Sequence, residues 1–399
     1  MKITKAEGFT VRNPTPSRGG MYWHLVKLET NESISGWGEV YWNTFGPQAF
    51  SATLQDVSRT LLEDHDPFEI ETLFSRFFSL HCKQHADLSK LGILSGIEIA
   101  CWDIIGKAVE RPVSDLLGGR CRDRVRTYSY VYPEDPKIWH EPLWYDADAC
   151  AARALEYAKS GFTAVKIDPV RYERESAPWQ PSLAVLENAE AVIRAVRKAV
   201  GSRCDIIVGT HGQFTPSAAV RFARRIESFD PLWFEEPTPP ERPEALRQVV
   251  MGTSIPIATG ERLASKFQYV PLLEAGVDIL QIDVSGVGGI LEAKKISAMA
   301  EARHAMITPH SWAGPVSFAA QVQLAVCQPN FLIQEMVDFM GGFYQTIAPR
   351  CVDWQDGSVR PSREPGLGIR VDEVEVRRYS VTEVTEEDPL LRVRPTERC

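Results

Sequence analysis

The chain has 399 residues, of which 44% are hydrophobic and 24% charged, and its formal net charge is −9 at pH 7. This length supports a large core and favours more than one domain. The acidic balance excludes a basic face for nucleic acid or an anionic membrane. The N-terminal sequence MKITKAEGFT lacks an apolar signal region, and no run reaches the length of a membrane span. The eight cysteines include no CxxC pair, so we expect reduced thiols and a cytoplasmic protein.

The first part of the chain predicts an α+β capping module, which we place at residues 1–124. The runs HLVKLET and ISGWGEV flank a short polar turn, a pattern typical of an antiparallel hairpin. Apolar residues at helical spacing follow the hairpin. They predict helices over 48–62, 67–80 and 94–110.

From Val125 the pattern changes to strands that alternate with helices. Eight short apolar runs have the length and β-branched content of buried strands: VRTYSYV, TAVKI, CDIIVG, LWFEE, IPIATG, ILQID, HAMITP and FLIQE. Amphipathic segments separate them, which favours an α/β fold with a parallel sheet closed into a barrel at residues 125–351. We expect segment 132–145 to lie over the barrel mouth. Residues 352–399, with a predicted strand VDEVEVRRY, are expected to return to the first module.

The predicted strands end in residues that bind metals or move protons. In a closed barrel the carboxyl ends of all strands face one mouth, so these side chains should converge on one pocket. The residues are Lys166 and Asp168, Glu235, Glu261, Asp283, His310 and Glu335.

Glu235 and Glu261 end consecutive strands. This placement brings two carboxylates within reach of one hard cation, and Mg²⁺ prefers such oxygen ligands. Taken singly, each glutamate could instead begin the next helix or pair with a surface arginine. Because the other predicted strands also end in residues that bind metals or move protons, the metal site is the favoured interpretation.

Asp283 and His310 end the next two strands. A carboxylate beside an imidazole fixes its tautomer and raises its basicity, which suits a general base. A single histidine is more often structural. The position of His310 at a strand end favours the catalytic interpretation.

The motifs SGWGEV, IEIACWDIIGKAVERPVSDLLGG, KID, FEEP, GERL, QIDVSGVGG, TPHSWAGP, QE and EPGLGI follow one another along most of the chain. As a set they resemble the mandelate racemase-like branch of the enolase superfamily. The resemblance implies a (β/α)₇β barrel of the TIM type, an N-terminal capping domain, Mg²⁺ and proton abstraction beside a carboxylate. It also implies that Glu335 hydrogen-bonds the enolate oxygen.

The resemblance has a first departure after the second barrel strand. Racemases of the branch carry Lys-x-Lys there, with the second lysine as one of two opposed bases. This chain reads Lys166-Ile167-Asp168. Asp168 therefore stands at the base position, and Lys166 at the position that contacts the substrate carboxylate or tunes its neighbour. Inversion needs a competent base on each face. The change therefore disfavours a racemase with lysine and histidine bases, and favours a sugar-acid dehydratase.

A second departure follows the third barrel strand. The family pattern is Asp-x-(Asn or His)-Gly, in which the Asp is a metal ligand, whereas this chain reads GTHG from Gly209 to Gly212. His211 matches the residue that protonates the leaving hydroxyl in related dehydratases. Gly209 cannot bind a metal, so either His211 supplies a third ligand or two glutamates and water hold the cation. A histidine ligand would admit Mn²⁺ or Zn²⁺, and Asp205, at the opposite strand end, is a poor substitute.

These observations predict a divalent-metal-dependent dehydratase of an aldonic or aldaric sugar acid. His310 would remove the α-proton and His211 would protonate the departing hydroxyl, with Lys166 and Glu335 completing the substrate site. An epimerase, racemase or cycloisomerase on the same fold and a non-catalytic member remain as alternatives. We expect a small-molecule carboxylate substrate, no nucleic-acid or membrane partner, and a homo-oligomer.

Two features of the capping module match the loops that close over substrate in the family. They are Trp37 with Glu39 in the hairpin, and the polar run from Arg12 to Arg18. Ordinary packing of the hairpin remains an equal alternative for both.

Overall fold

The computed structural model describes residues 1–41, 46–79, 85–135, 143–171 and 178–384. It begins with an antiparallel sheet of β1 (Ile3–Arg12), β2 (Tyr22–Thr30) and β3 (Ser35–Val40), in which β2 and β3 form the predicted hairpin. The helices that follow are α1 (Pro47–Val57), α2 (Ile70–Phe78), α3 (Leu88–Ala108) and α4 (Val113–Leu116). The predicted helix over 48–62 is divided, because a π-helical turn (Ser58–Leu62) follows α1.

Eight parallel strands, β4 to β11, succeed one another around a barrel. They are β4 (Val125–Tyr130), β5 (Ala164–Ile167), β6 (Asp205–Gly209), β7 (Trp233–Glu235), β8 (Ile257–Thr259), β9 (Ile279–Leu280), β10 (Met306–Ile307) and β11 (Gln334–Glu335). β11 pairs with β4, and a bridge from Ile307 to Phe331 joins β10 to the chain that leads into β11. The ring is therefore closed.

Seven helices connect the barrel strands: α5 (Ala147–Lys159), α6 (Leu183–Val200), α7 (Pro216–Ile226), α8 (Pro243–Val250), α9 (Ser265–Ala275), α10 (Ile290–Glu301) and α11 (Pro315–Ala325). In α6 the Ser182 side chain accepts a hydrogen bond from the Val185 backbone at the first turn, and Leu186, Ile193 and Val196 are fully buried. The order confirms the predicted (β/α)₇β barrel.

A layer of large and small side chains fills the barrel interior. It consists of Tyr128, Ala164, Ile207, Trp233, Ala258, Ile279 and Ile333, all buried. The Tyr128 and Trp233 rings pack edge to face, with centroids 5.4 Å apart. The barrel is therefore a packed core rather than a pore, and the polar strand ends form its mouth.

The chain ends in α12 (Phe343–Ile347), β12 (Trp354–Gln355), β13 (Ser358–Val359) and α13 (Glu373–Tyr379). The strand predicted over 371–379 is wrong, since this segment is α13. The Asp372 side chain accepts hydrogen bonds from the first turn, and Glu373 pairs with Arg377 one turn later at 2.7 Å. Arg377 also pairs with Glu7 of β1 at 2.8 Å, and this contact ties α13 to the capping sheet.

Two buried carboxylates of the capping module contact helices of the barrel. Glu39 accepts hydrogen bonds from the backbone N–H groups of Gly314, Val316 (3.1 Å) and Ser317 (2.9 Å), at the start of α11. Glu98 of α3 likewise accepts from the first N–H groups of α10. Helix N-termini favour negative charge, so these contacts fix the capping module on the barrel.

None of the described helices has the length and apolar character that crossing a membrane requires. Part of the segment expected over the barrel mouth, residues 136–142, and the end of the C-terminal segment, residues 385–399, lie outside the described residues. The domain limits at 124 and 351 stay a prediction.

Candidate active site

The seven side chains predicted at strand ends belong to the mouth of the barrel, and all are buried. They are Lys166 of β5, Asp168 just after it, Glu235 and Glu335 at the ends of β7 and β11, and Glu261, Asp283 and His310 just after β8, β9 and β10. His211, in the turn after β6, is 42% exposed in its side chain. The same mouth thus holds one buried imidazole, that of His310, and one that is only partly exposed, that of His211.

His310 and Asp283 form a buried pair, with 2.7 Å between His310 Nδ1 and Asp283 Oδ2. The Ser285 backbone N–H donates to the other oxygen of Asp283, which fixes its orientation. His310 Nε2 therefore faces the interior of the site, where it lies 3.8 Å from Glu261 and 3.9 Å from Glu335. An imidazole held in this way presents one nitrogen to a substrate.

The charge around His310 sets its protonation. Burial lowers the pKa of His310, but the carboxylates of Glu261 and Glu335 outweigh burial and raise the pKa to about 10. Asp283 adds to this effect through its hydrogen bond. At this pKa the imidazole of His310 is protonated at neutral pH, so it can accept a proton only once the charge of the neighbouring carboxylates is balanced.

Lys166 lies between carboxylates at the bottom of the site. Its Nζ contacts Glu235 directly, lies 3.4 Å from Glu335 and stands 4.5 Å from the centre of the Tyr130 ring. Burial lowers the pKa of Lys166, yet Glu235 and Glu335 hold it well above its ordinary value. The ammonium is therefore charged, and its charge is paired with these two carboxylates.

His211 has a carboxylate partner of its own, with 3.0 Å between His211 Nδ1 and Asp168 Oδ2. The hydroxyl of Tyr130 donates to the same oxygen at 3.3 Å. His211 has a φ of +45°, a region in which His, Asn and Asp are enriched. The Thr210 hydroxyl holds this turn by donating to the backbone carbonyl of Glu236 at 3.0 Å.

The pair of Asp168 and His211 favours a cationic imidazole. Burial lowers the pKa of His211, but the Asp168 carboxylate outweighs it and raises the pKa to about 9. A histidine that is protonated at neutral pH can donate a proton. The motif Lys166-Ile167-Asp168 predicts a base position for Asp168, and nothing in the sequence predicts its contact with His211.

Glu235 and Glu261 differ in how their oxygens are used. Glu235 accepts a hydrogen bond from Trp233 Nε1 at 2.9 Å, in addition to its contact with Lys166. The Oε2 atom of Glu261 is buried and accepts no hydrogen bond from any described residue. Burial raises the pKa of Glu261, but the positive His310 and Lys166 outweigh burial and lower it to about 2. Glu261 is therefore a buried carboxylate that remains charged.

In the part of the chain that the structure describes, no three His, Cys, Asp or Glu side chains are gathered as a ready-made metal centre. The Lys166 ammonium instead provides the positive charge beside Glu235. A cation that used Glu235 would have to displace this contact.

Two residues near the site escaped the sequence analysis. The ring of Tyr41, which follows β3, lies with its centroid 5.4 Å from that of His310. Tyr130 contacts both Asp168 and Lys166. Tyr41 directly follows the SGWGEV motif, which is the signal that could have identified it. Tyr130 ends β4. No signal identified it, because the predicted strand VRTYSYV lacks the terminal carboxylate, lysine or histidine that marks the other site strands.

The residues proposed to close over substrate have separate roles. Glu39 is bound to the start of α11, and Trp37 packs on Phe9 with ring centroids 5.7 Å apart. Arg18, at the end of the polar run, pairs with Asp338 after β11 at 2.9 Å. Arg18 and Glu39 therefore both reach loops that follow barrel strands, after β11 and after β10 respectively.

Comparison with known proteins covers most of this chain. The family described as "Enolase C-terminal domain-like" matches residues 149–375, and the mandelate racemase/muconate lactonizing enzyme N-terminal domain matches residues 15–118. A D-galactonate dehydratase from Variovorax paradoxus is 33% identical, over 94% of this chain and 93% of the relative. A D-xylonate dehydratase from Haloferax volcanii is 29% identical, over 89% of this chain and 84% of the relative.

A solved structure shows the same fold over nearly the whole chain. A mandelate racemase/muconate lactonizing enzyme-like protein from Roseovarius sp. TM1035 is 41% identical, and the match covers 96% of this chain and 97% of that one. Its TM-score of 0.92 indicates the same arrangement of both domains. The chain therefore belongs to the mandelate racemase/muconate lactonizing enzyme group of the enolase superfamily.

Proposed function

We propose that the protein is a divalent-metal-dependent dehydratase that converts an aldonic or aldaric sugar acid to a 2-keto-3-deoxy acid. One observation carries the proposal: two His–Asp pairs face one mouth from opposite sides. β6 and β10, which position His211 and His310, lie four strands apart in the ring of eight. A substrate between them would present its α-hydrogen to one imidazole and its β-hydroxyl to the other. The dehydratase names of the relatives support the same reaction class.

Proton transfer would begin at His310. Its Nε2 removes the α-proton, and the electrons of the C–H bond form the enolate. Lys166 would hold the substrate carboxylate, and Glu335, whose Oε2 is oriented by the Ser311 N–H at 2.8 Å, would share a hydrogen bond with the enolate oxygen, a contact that requires a proton between the two oxygens. These groups make the α-hydrogen more acidic before it is removed.

The second half of the reaction would use His211. The enolate electrons reform a carbon–carbon double bond while the bond to the β-oxygen breaks, and His211 donates a proton so that the oxygen leaves as water. The resulting enol takes a proton from solvent at C3 and becomes the 2-keto-3-deoxy acid. Asp168 balances the charge of His211 before the transfer, which makes it a positioning residue in this step.

The donor set fits a hard cation. Glu235 and Glu261 offer carboxylate oxygens from consecutive strands, and Glu261 Oε2 is buried and charged without a hydrogen-bond donor among the described residues. Mg²⁺ prefers such oxygens. A Zn²⁺ site would have to use the Nε2 of His211 as well, because Asp168 engages its Nδ1. When bound, the cation supplies positive charge for the substrate carboxylate and the enolate. It would also oppose the effect of Glu261 and so lower the pKa of His310 toward a functional base.

A panel of aldonic and aldaric acids tests this proposal. With Mg²⁺ we expect at least one acid to yield a 2-keto acid, and a chelator should stop the reaction. His310→Asn serves as the negative control on the same panel. Failure of every acid, together with absence of bound divalent metal, would favour the non-catalytic alternative.

The same two pairs also favour a second candidate, a C2 epimerase. An imidazole on each face of the α-carbon is the arrangement that inversion requires. This candidate predicts the C2 epimer of the substrate without loss of water, so the panel separates the two reactions by product.

A further inference from the structure

The space above Gly209 is filled by a carboxylate from the neighbouring strand. A Cβ atom added to Gly209 would lie 2.2 Å from Asp168 Oδ1 and 3.3 Å from Lys166 Cε. The first distance is far shorter than any non-bonded contact. The Asp168 side chain therefore occupies the volume that a side chain at position 209 would occupy. The backbone of Gly209 does not itself demand glycine, because its φ lies outside the left-handed region.

This volume lies beside a proposed metal ligand. Gly209 and Glu235 are register partners in the parallel pair of β6 and β7. Register partners on adjacent strands point to the same side of a sheet. A side chain at position 209 would therefore start next to that of Glu235, and the Asp168 carboxylate stands in this place. The Lys166 side chain lies against both, since its Cε approaches the Gly209 position and its Nζ contacts Glu235.

We propose that Asp168 has taken over the metal-ligand position that Gly209 cannot fill. Three carboxylates, from Asp168, Glu235 and Glu261, would then hold the cation. In this proposal the ligand comes from the loop after the second barrel strand rather than from the third strand, and its Oδ1 lies where a side chain at position 209 would begin. This inference rests on the proposed function, which places a cation between Glu235 and Glu261.

The contacts of Asp168 are compatible with two roles. Oδ2 accepts from His211 Nδ1 at 3.0 Å, while Oδ1 is the atom that approaches Gly209. One carboxylate can therefore orient the imidazole with one oxygen and bind the cation with the other. His211 need not be a ligand in this arrangement, because Asp168 supplies the third carboxylate. Binding requires the Lys166 ammonium to leave Glu235. The three carboxylates would also have to draw together around the cation, since the described residues hold no ready-made metal centre.

Mn²⁺ binding to the apo protein, measured by isothermal titration calorimetry, tests the inference without substrate or turnover. We expect Asp168→Asn to weaken Mn²⁺ affinity by more than roughly 100-fold. A group that only orients a ligand typically accounts for 10- to 100-fold. Asp205→Asn is the matched control, because Asp205 pairs with Arg126 at the other end of β6 and should leave affinity unchanged.

A double variant sharpens the test by moving the carboxylate back to β6. Asp168→Ala empties the space above Gly209, and Gly209→Asp then fills it from the third strand. We expect this double variant to recover Mn²⁺ affinity to within roughly tenfold of wild type, whereas Asp168→Ala alone stays weak. Circular dichroism and thermal unfolding of each variant show whether it is folded, and Asp168→Ser provides a second single variant if Asp168→Asn is not.

The outcomes separate this inference from the proposed function. If wild type binds Mn²⁺ and folded Asp168 variants bind it equally well, Asp168 only positions His211, and the inference is overturned while the dehydratase proposal stands. If the single variants lose Mn²⁺ affinity and the double variant does not regain it, the proposal that Asp168 replaces a ligand at position 209 is contradicted. If wild type binds no divalent cation, both the inference and the metal dependence of the proposed function are overturned.

Discussion

Two groups of buried carboxylates among the described residues have different partners. Where the capping module meets the barrel, Glu39 and Glu98 accept hydrogen bonds from backbone N–H groups at helix N-termini. At the mouth, Glu235 and Asp283 contact Lys166 and His310. All four are almost completely buried. Burial alone therefore does not distinguish a structural carboxylate from one in a reactive site.

The hydrogen-bond partner of a buried carboxylate distinguishes the two roles. Backbone N–H groups cannot give up their protons, and their geometry is fixed by the helix, so such a contact contributes stability alone. Lysine can release a carboxylate and bind a substrate in its place, and histidine can donate or accept a proton. The comparison predicts that substitutions at the mouth remove activity and leave the fold intact, whereas substitutions at the capping interface remove stability.

The largest effect is expected at His310. His310→Asn nearly preserves the shape of the side chain but removes the proton acceptor, so turnover should fall by roughly 10⁴-fold with the loss in kcat rather than KM. Exchange of the substrate α-hydrogen with deuterium should be lost with it. Normal α-hydrogen exchange in a folded His310→Asn variant would exclude His310 as the base.

His211 should show a smaller and more selective effect. His211→Ala removes the proposed acid, so product formation should fall by roughly 10²–10³-fold while α-hydrogen exchange continues and bound metal is retained. The assay measures product, exchange and metal content on the same preparation. Loss of metal together with exchange would make His211 a ligand, and full activity would falsify both roles.

At the capping interface, Glu39→Ala should lower stability. The change leaves buried N–H groups at the start of α11 without an acceptor, which costs about 3 kcal/mol in the free energy of unfolding. Urea denaturation measures this loss, and Glu98→Ala is the matched variant at α10. Turnover per folded molecule should fall far less than in His310→Asn. A Glu39→Ala protein that is as stable as wild type would contradict the structural role of this carboxylate.

The smallest effect is a dependence on pH. Burial raises the pKa of Glu39 to about 7, although the backbone N–H groups lower it in part. The folded protein then binds more protons than the unfolded chain between about pH 4.5 and 7, so this group's contribution to stability decreases as pH rises through that window. Glu39→Gln should remove a slope of up to about 1.4 kcal/mol per pH unit from the free energy of unfolding. An unchanged slope, measured by urea denaturation across the window, would contradict the raised pKa.

The barrel and most of its strand-end residues were predictable from sequence because their signals are local. Short apolar runs alternate with amphipathic helices, and chain order alone places residues such as Glu235 and His310 at strand ends. The segment VDEVEVRRY was wrongly predicted because its alternation resembles a strand. The Asp372 cap and the pair of Glu373 and Arg377 favour a helix instead.

Other features depend on contacts between distant segments, which no local pattern records. Asp168 and His211 follow different strands, and only the register of β5 and β6 brings them together. The sequence identified Gly209 as a missing ligand, but the carboxylate that fills its space became visible only in three dimensions. From the sequence alone, Glu39 could equally belong to a loop that closes over substrate or to ordinary packing of the hairpin. The backbone N–H groups that bind it at the start of α11 are visible only in the structure.

The central claim is that the two His–Asp pairs perform an elimination rather than an inversion. Proton NMR of wild-type protein with Mg²⁺ and a panel of sugar acids in D₂O tests it most directly. The account predicts a 2-keto-3-deoxy acid with solvent deuterium at C3, and no such product from His310→Asn. Conversion of an acid to its C2 epimer, with deuterium at C2 and no keto acid, would contradict it.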